Sequence, residues 1–249
     1  MDEIKTDLKR AIYSLPFLLA CITMIFAIAI GAGGKLLFPK DIGVGLQSDY
    51  YGQLIFAGLS SDIVLMVVPI ICTLPYTVAF LDEHNSGFIK PYLMKCDKSA
   101  YIKGKVITAG ISGGLALAIG IVVSYFIASL VYKPLEIADP MAVSSINVLL
   151  SKSLIFFLCG WLWASIGALL ANITLSKYMA YAAPFVIYYV LVILAERYFH
   201  NIYVINPEEW LAPSNTWVGG DWGIMLLVIL MSIIVMMIND VVIEGRIEG

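Results

Sequence analysis

The sequence predicts an all-α integral membrane protein forming one transmembrane domain over 1–249. Six transmembrane helices follow an N-terminal interfacial amphipathic helix, and both termini are cytoplasmic. Three observations lead there. Hydrophobic residues make up 61% of the chain and charged residues 13%, with a mean hydropathy of +0.91. Soluble domains run near half apolar and a quarter charged, so a soluble core of this size has nowhere to hide the excess. Six uncharged windows, each of at least eighteen residues, approach the ~20 that cross a hydrocarbon core of ~30 Å. The basic residues fall unequally on alternate loops, which orients the chain.

Residues 2–15 place Ile4, Leu8, Ile12 and Leu15 on one helical stripe, with Asp2, Glu3, Lys5, Lys9 and Arg10 around the rest. That is the pattern of a helix lying in the membrane interface. The apolar stretch after it is longer than a signal-peptide core and lacks a small-x-small site before a soluble domain, so the segment is expected to be retained. The uncharged windows are Ala11–Gly34, Ile63–Leu81, Val106–Tyr132, Ser153–Ser176, Tyr178–Ala195 and Trp222–Asn239. Lipid leaves no water for backbone groups, and these segments have helix length rather than ten-residue alternation, so each is read as a helix. Pro69 and Pro75 should bend the second. Ser99 is the expected N-cap of the third, which carries Gly110, Gly113, Gly114 and Gly120. The fourth has Gly160, Ala164, Gly167 and Ala171. Small residues at such intervals let backbones approach closely, either at a subunit interface or within the chain.

The connections differ in character. A tight turn around Lys177 joins the fourth and fifth helices. On the opposite side, Phe38–Asp62 is polar and glycine-containing, and Lys133–Lys152 is turn-rich. Glu196–Asp221 mixes aromatics, prolines and acids. Its Tyr198, Tyr203, Trp210, Trp217 and Trp222 suit an interfacial aromatic belt or a short re-entrant hairpin, with Glu208 and Glu209 solvated. With a cytoplasmic N-terminus, ten basic residues lie inside (Lys5, Lys9, Arg10, Lys90, Lys95, Lys98, Lys103, Lys105, Lys177, Arg246) and five outside (Lys35, Lys40, Lys133, Lys152, Arg197), while acids divide nine and nine. The longest cytoplasmic polar segment is 82–105, with five of the fifteen basic residues.

Sites for covalent chemistry are not evident. His84 and His200 fall a membrane thickness apart, and neither a GxSxG elbow nor an HExxH occurs. The four cysteines show no CxxC spacing. Gly31–Lys35 resembles a phosphate loop only superficially, since Ala29 and Leu36 stand where glycine and Ser/Thr are required. No charge falls in the middle of an apolar window, which argues against carboxylate-coupled ion transport. The net charge of −3 gives no reason to expect a nucleic-acid partner. No catalytic, cofactor-binding or metal-binding residue is expected, and any energy source must lie outside the chain.

In 82–105, Asp82-Glu83, Ser86-Gly87, Lys90 and Tyr101-Ile102-Lys103-Gly104-Lys105 succeed one another, and Asn206-Pro207 to Trp210-Leu211 precedes the last helix. Together with the interfacial helix and six spans, this ordering resembles the membrane subunits of type-2 ABC exporters over nearly the whole chain. The resemblance implies that Glu83–Met94 forms a coupling helix docking on a cytoplasmic ABC ATPase that binds ATP and Mg. The docking residues would be Glu83, Gly87, Phe88, Ile89, Lys90, Tyr92 and Leu93, with Gly87 allowing a turn and Pro91 opening or breaking a short helix. It also implies pairing with a second, identical or related permease subunit in a prokaryotic cell membrane. An amphipathic or hydrophobic cargo (peptide, lipid or drug) would then be exported by alternating access along a path including Tyr76, Phe80, Tyr188 and Tyr189. The alternatives are a basic loop resting on anionic lipid headgroups, an ATP-independent channel or assembly scaffold, and, least favoured, an intramembrane enzyme.

Overall fold

The computed structural model describes residues 2–35, 46, 48–137, 146–199 and 202–248, most of them helical. Among these residues the only β pairing is a bridge between Leu46 and Glu136. The helices are α1 (Asp2–Ile12), α2 (Leu15–Gly31), α3 (Tyr50–Leu59), α4 (Asp62–Ile71), α5 (Ala79–Asn85), α6 (Ile89–Leu93), α7 (Lys98–Tyr132), α8 (Ile146–Thr174), α9 (Lys177–Arg197), α10 (Pro207–Leu211) and α11 (Asp221–Glu248). By length and composition, Lys98–Leu135, Ile146–Thr174, Lys177–Arg197 and Asp221–Glu248 are each able to cross a membrane. Two bent pairs, Glu3–Ile12 with Leu15–Gly31 (56°) and Tyr50–Leu59 with Asp62–Ile71 (65°), raise the number from four to six if each pair is one span.

Local sequence explains the bends. At the first, the Ser14 hydroxyl accepts from Phe17 N (3.3 Å) and caps α2, with Pro16 in the first turn where its missing N–H is harmless. At the second, Ser61 caps α4. The sequence places an outer loop as far as Asp62; instead Tyr50–Leu59 is a helix, packed on α2 and α7. Its start is fixed from a distance: the Glu136 carboxylate accepts from Asp49 N (3.1 Å) and Tyr51 N (3.2 Å), placing an anion where free amides point.

The expected bend of the second apolar window is a break. Pro69 is accommodated inside α4, and residues 72–78 then run in turns before α5. Thr73 and Thr77 hydroxyls donate to the Ile70 (2.8 Å) and Thr73 (2.5 Å) carbonyls, occupying acceptors that a continuous helix would use. Glycines on two neighbouring helices leave room for this irregular backbone. A Cβ on Gly113 would lie 2.5 Å from the Cys72 carbonyl oxygen, and one on Gly167 would lie 2.9 Å from the Thr73 methyl. Gly114 and Gly160 meet each other's helices in the same way, so the small residues of α7 and α8 serve close packing within this chain. The choice between subunit interface and intrachain packing is decided for these positions.

Helix α7 begins at Lys98, well inside the polar segment of the sequence, and its cap is Asp97 rather than Ser99: the Asp97 carboxylate accepts from Ala100 N (3.1 Å). Helices α8 and α11 are tied at three depths, by Ser151 to Asp221 (2.6 Å), Trp161 to the Met236 sulfur (3.3 Å) and Asn172 to Asn239 (2.8 Å). Short α10 folds onto α8 and α9. Trp210 is buried, stacks on Trp163 (centroids 6.3 Å apart) and donates to the Val204 carbonyl (2.8 Å), so it is part of the core and not of an aromatic belt. Glu209 is likewise not solvated: it is buried, accepting from the Ser214 hydroxyl and from Ser214 N (3.0 Å) and Asn215 N (3.2 Å). Burial alone would raise its carboxyl; these donors, Ser214 foremost, hold it below the ordinary range. Tyr198 and Trp222 are exposed, as a belt requires.

Candidate functional site

Four segments converge at the end of the bundle where α1, 82–98, the α8–α9 turn and the end of α11 meet. Tyr101 and Lys105 stand one turn apart on α7, on one face. Glu83 comes from the last turn of α5, Tyr76 from the broken stretch, and Asp7 and Arg10 from α1. The Lys105 ammonium donates to Glu83 (2.7 Å), Asp7 (3.1 Å) and the Tyr76 hydroxyl (3.1 Å). It also lies over the Tyr76 and Tyr101 rings at 5.4 and 5.3 Å. Glu83 accepts further from Tyr101 (2.8 Å) and Arg10 (3.1 Å), and Arg10 lies 3.6 Å from Asp7.

Lys105 is 5% exposed, Asp7 6% and Glu83 8%. Two cations face two carboxylates, and the oxygens carry neutral donors as well. Buried charges persist only when paired and hydrogen-bonded in this way. The cluster is therefore self-neutralising and holds α1, the 72–78 break, α5 and α7 to one another.

A second contact binds α1 to the polar segment. Glu3 accepts from the Tyr92 hydroxyl and from the Cys96 thiol (3.2 Å). The Tyr92 bond, then the thiol, holds the Glu3 carboxyl below the usual range, and the same bond pushes the Tyr92 phenol up. Tyr92 also packs against Phe88 and Tyr101, with ring centroids 5.2 and 5.6 Å away. The amphipathic expectation for 2–15 gains a feature here: the line of α1 turned fully into the protein is Asp7 and Ala11, while Ile4, Leu8 and Ile12 are half-buried and Leu15 is exposed.

Between α5 and α7 the chain turns at Gly87, whose φ of +70° favours glycine, and forms α6 with Pro91 in its first turn. Of the residues expected to dock, Gly87, Phe88 and Lys90 are exposed, together with Pro91, Met94 and Lys95. Tyr92 and Leu93 are half-buried. Ile89 is buried in a small cluster with Phe80, Tyr101, Ile102, Val106 and Ile243. Glu83 is inside the charge cluster and offers no surface for docking. Salt bridges brace the base: Lys177 to Asp82 (2.5 Å), and Lys98 to Glu244 (3.1 Å) and Glu248 (2.6 Å).

Of the residues expected along a path, Tyr76 and Phe80 line one cavity, and Tyr188 and Tyr189 lie apart from it. Tyr76 and Phe80 border a small cavity of about 10 Å³, also lined by Thr77, Lys105, Asn172 and Asn239, which has room for one water at most. Tyr188 is buried in the main core beside Trp163 (5.4 Å), and Tyr189 packs half-buried on Phe185 (5.2 Å). Among the described residues no group of three His, Cys, Asp or Glu is placed to hold a metal ion; His84 is half-buried at the end of α5, and His200 lies outside the described residues.

Sequence reading does not single out Asp7, Arg10, Tyr101 and Lys105 as a unit. The available signals are the i,i+4 spacing of Tyr101 and Lys105 and of Asp7 and Ala11. Nothing in either pattern reveals that the two faces meet. No protein-family model matches the chain, and no curated protein matches it.

Proposed function

We propose that the chain is the permease subunit of an ATP-driven transporter of the type-2 ABC exporter kind, moving an amphipathic or hydrophobic cargo. One observation carries the reading: the 86–95 segment is two-sided. Its outer face (Gly87, Phe88, Lys90, Pro91, Met94, Lys95) has no cover from the described residues. Its inner side is bound through Tyr92–Glu3, and through neighbouring Glu83–Lys105, to α1, the 72–78 break and α7. A push on the outer face is thus transmitted to several helices at once, because the buried charges cannot separate cheaply. The broken second window supplies the compliant element, since its turns lack the continuous ladder of a helix. In this reading ATP closure in a partner ATPase delivers the push, and a second permease subunit completes the path. The sequence resemblance over 82–105 and 206–211 supports the same assignment.

The test is co-purification of an ABC ATPase with the full-length chain and measurement of its stimulated turnover. Phe88→Ala should lower turnover while leaving the permease folded. Glu83→Gln should act differently, by loosening α1 from the bundle. Absence of an associated ATPase would favour an ATP-independent channel or scaffold and overturn the proposal.

A further inference from the structure

The uncovered face of 86–95 carries one sign of charge. From Asn85 to Cys96 there are two lysines, Lys90 and Lys95, and no acidic residue. Both lysines are exposed, and among the described residues neither meets a carboxylate. Four carboxylates that adjoin the segment in sequence or space are engaged within the chain. Glu83 is held by Lys105 and Arg10, Asp82 by Lys177, and Glu3 by Tyr92 and Cys96, while Asp97 caps α7. Lys105, Arg10 and Lys177 neutralise Glu83 and Asp82, while Glu3 and Asp97 keep their charge on neutral donors turned to them from within the chain, and Lys90 and Lys95 are left facing out. Beside the lysines stand Phe88, 46% exposed, and Met94, 83% exposed.

We infer that the docking partner presents an apolar hollow for Phe88 and Met94 rimmed by carboxylates that face Lys90 and Lys95. This rests on the permease reading and names the chemistry of the ATPase surface that reading requires. Aromatic and methionine anchors favour desolvated protein hollows, and rim charges of opposite sign steer association. A bilayer is the poorer match. A segment that inserts into headgroups turns its whole apolar side outward, whereas here Ile89 is buried and Tyr92 and Leu93 are half-buried, leaving only Phe88 and Met94 outside.

The experiment uses the full-length chain in nanodiscs of neutral lipid with the ATPase that co-purifies, and measures Kd at low and at raised NaCl. The expected result is about tenfold weaker binding of the unsubstituted chain at high salt, since surface charge pairs are screened. Lys90→Glu with Lys95→Glu should weaken binding at least about tenfold at low salt and remove the salt dependence. Phe88→Ala with Met94→Ala should weaken it similarly at both salts. If the ATPase binds with salt-independent affinity and tolerates the reversed charges, the acidic rim is overturned and the permease reading stands. If no ATPase associates, both fall. Hydrogen exchange over 86–97, without ATPase, in nanodiscs of neutral and of phosphatidylglycerol lipid completes the test. Protection that rises with phosphatidylglycerol and is lost on charge reversal would assign the face to the bilayer and overturn the inference; equal exchange in both lipids supports it.

Discussion

Lys105→Met removes the buried one of the two cations that reach both carboxylates. Asp7 and Glu83 would then share only Arg10, which sits at the cluster's rim with a side chain 60% exposed. Deleting one member of a buried ion network strands its partners and costs about 3–5 kcal/mol. Detachment of α1 relieves that penalty, because it returns Asp7 to water. The opening equilibrium of α1 should therefore shift by roughly two to three and a half powers of ten, at ~1.4 kcal/mol for each. Cys96 reports it: it is half-exposed and bonded to Glu3, whereas Cys21, Cys72 and Cys159 are buried. Maleimide labelling of Cys96 should accelerate accordingly in Lys105→Met until the segment is fully open. The variant Asp7→Asn/Glu83→Gln/Lys105→Met, in which only the exposed Arg10 keeps its charge, should return close to the parental rate, since an apolar or neutral replacement of a buried ion network is near-neutral. Labelling of Lys105→Met within about twofold of the parent would refute the view that these charges hold α1. A triple variant as loose as the single one would show that packing, not charge, is responsible.

Other perturbations probe separate parts. Glu3 is held below the usual carboxyl value of ~4.3, so its contribution is complete above that pH and lost as pH falls through the lower folded value. Hydrogen exchange over 86–97, corrected for intrinsic rates, should be flat from neutral pH to about 5 and rise below, and the Glu3→Gln variant should be faster and lack that rise. Gly113→Ala would place a methyl 2.5 Å from both the Cys72 carbonyl and the Ala164 methyl, and overpacking of this kind costs about 1–3 kcal/mol. Gly245→Ala, with open space around it, should leave thermal stability unchanged or slightly raised; equal shifts for both would contradict the packing account. Asn172→Leu should destabilise by about 1–2 kcal/mol through the stranded Asn239 amide. Asn172→Leu/Asn239→Leu should recover part of that loss, as thermal unfolding in detergent would show.

Where sequence reading succeeds and fails follows the range of the forces. The apolar windows were legible because burying backbone in lipid demands a long uncharged helix, a requirement local to each window. The four long helices follow from it. The break at 72–78 was read only as a bend, since two prolines announce lost donors and do not say whether neighbours leave room for unwound backbone. Gly113 and Gly167, forty and more residues away, provide that room. Helix α3 is not legible in the sequence because its start depends on Glu136, distant along the chain, and the Ser99 that the sequence offers as a cap gives way to Asp97.

By itself, then, the sequence determined the helical class, the apolar spans, the glycine turn at position 87 and the segment in which polar chemistry concentrates. Each is set by composition or by spacing within one helix. Only the tertiary structure decided what that chemistry is. Lys105, counted in sequence as one more basic loop residue, is buried between Asp7 and Glu83, and Glu83 is thereby withdrawn from the surface. Charge pairing between segments some seventy to a hundred residues apart leaves no periodic trace in the chain, because Coulomb attraction and desolvation act on the folded arrangement and not on sequence neighbours.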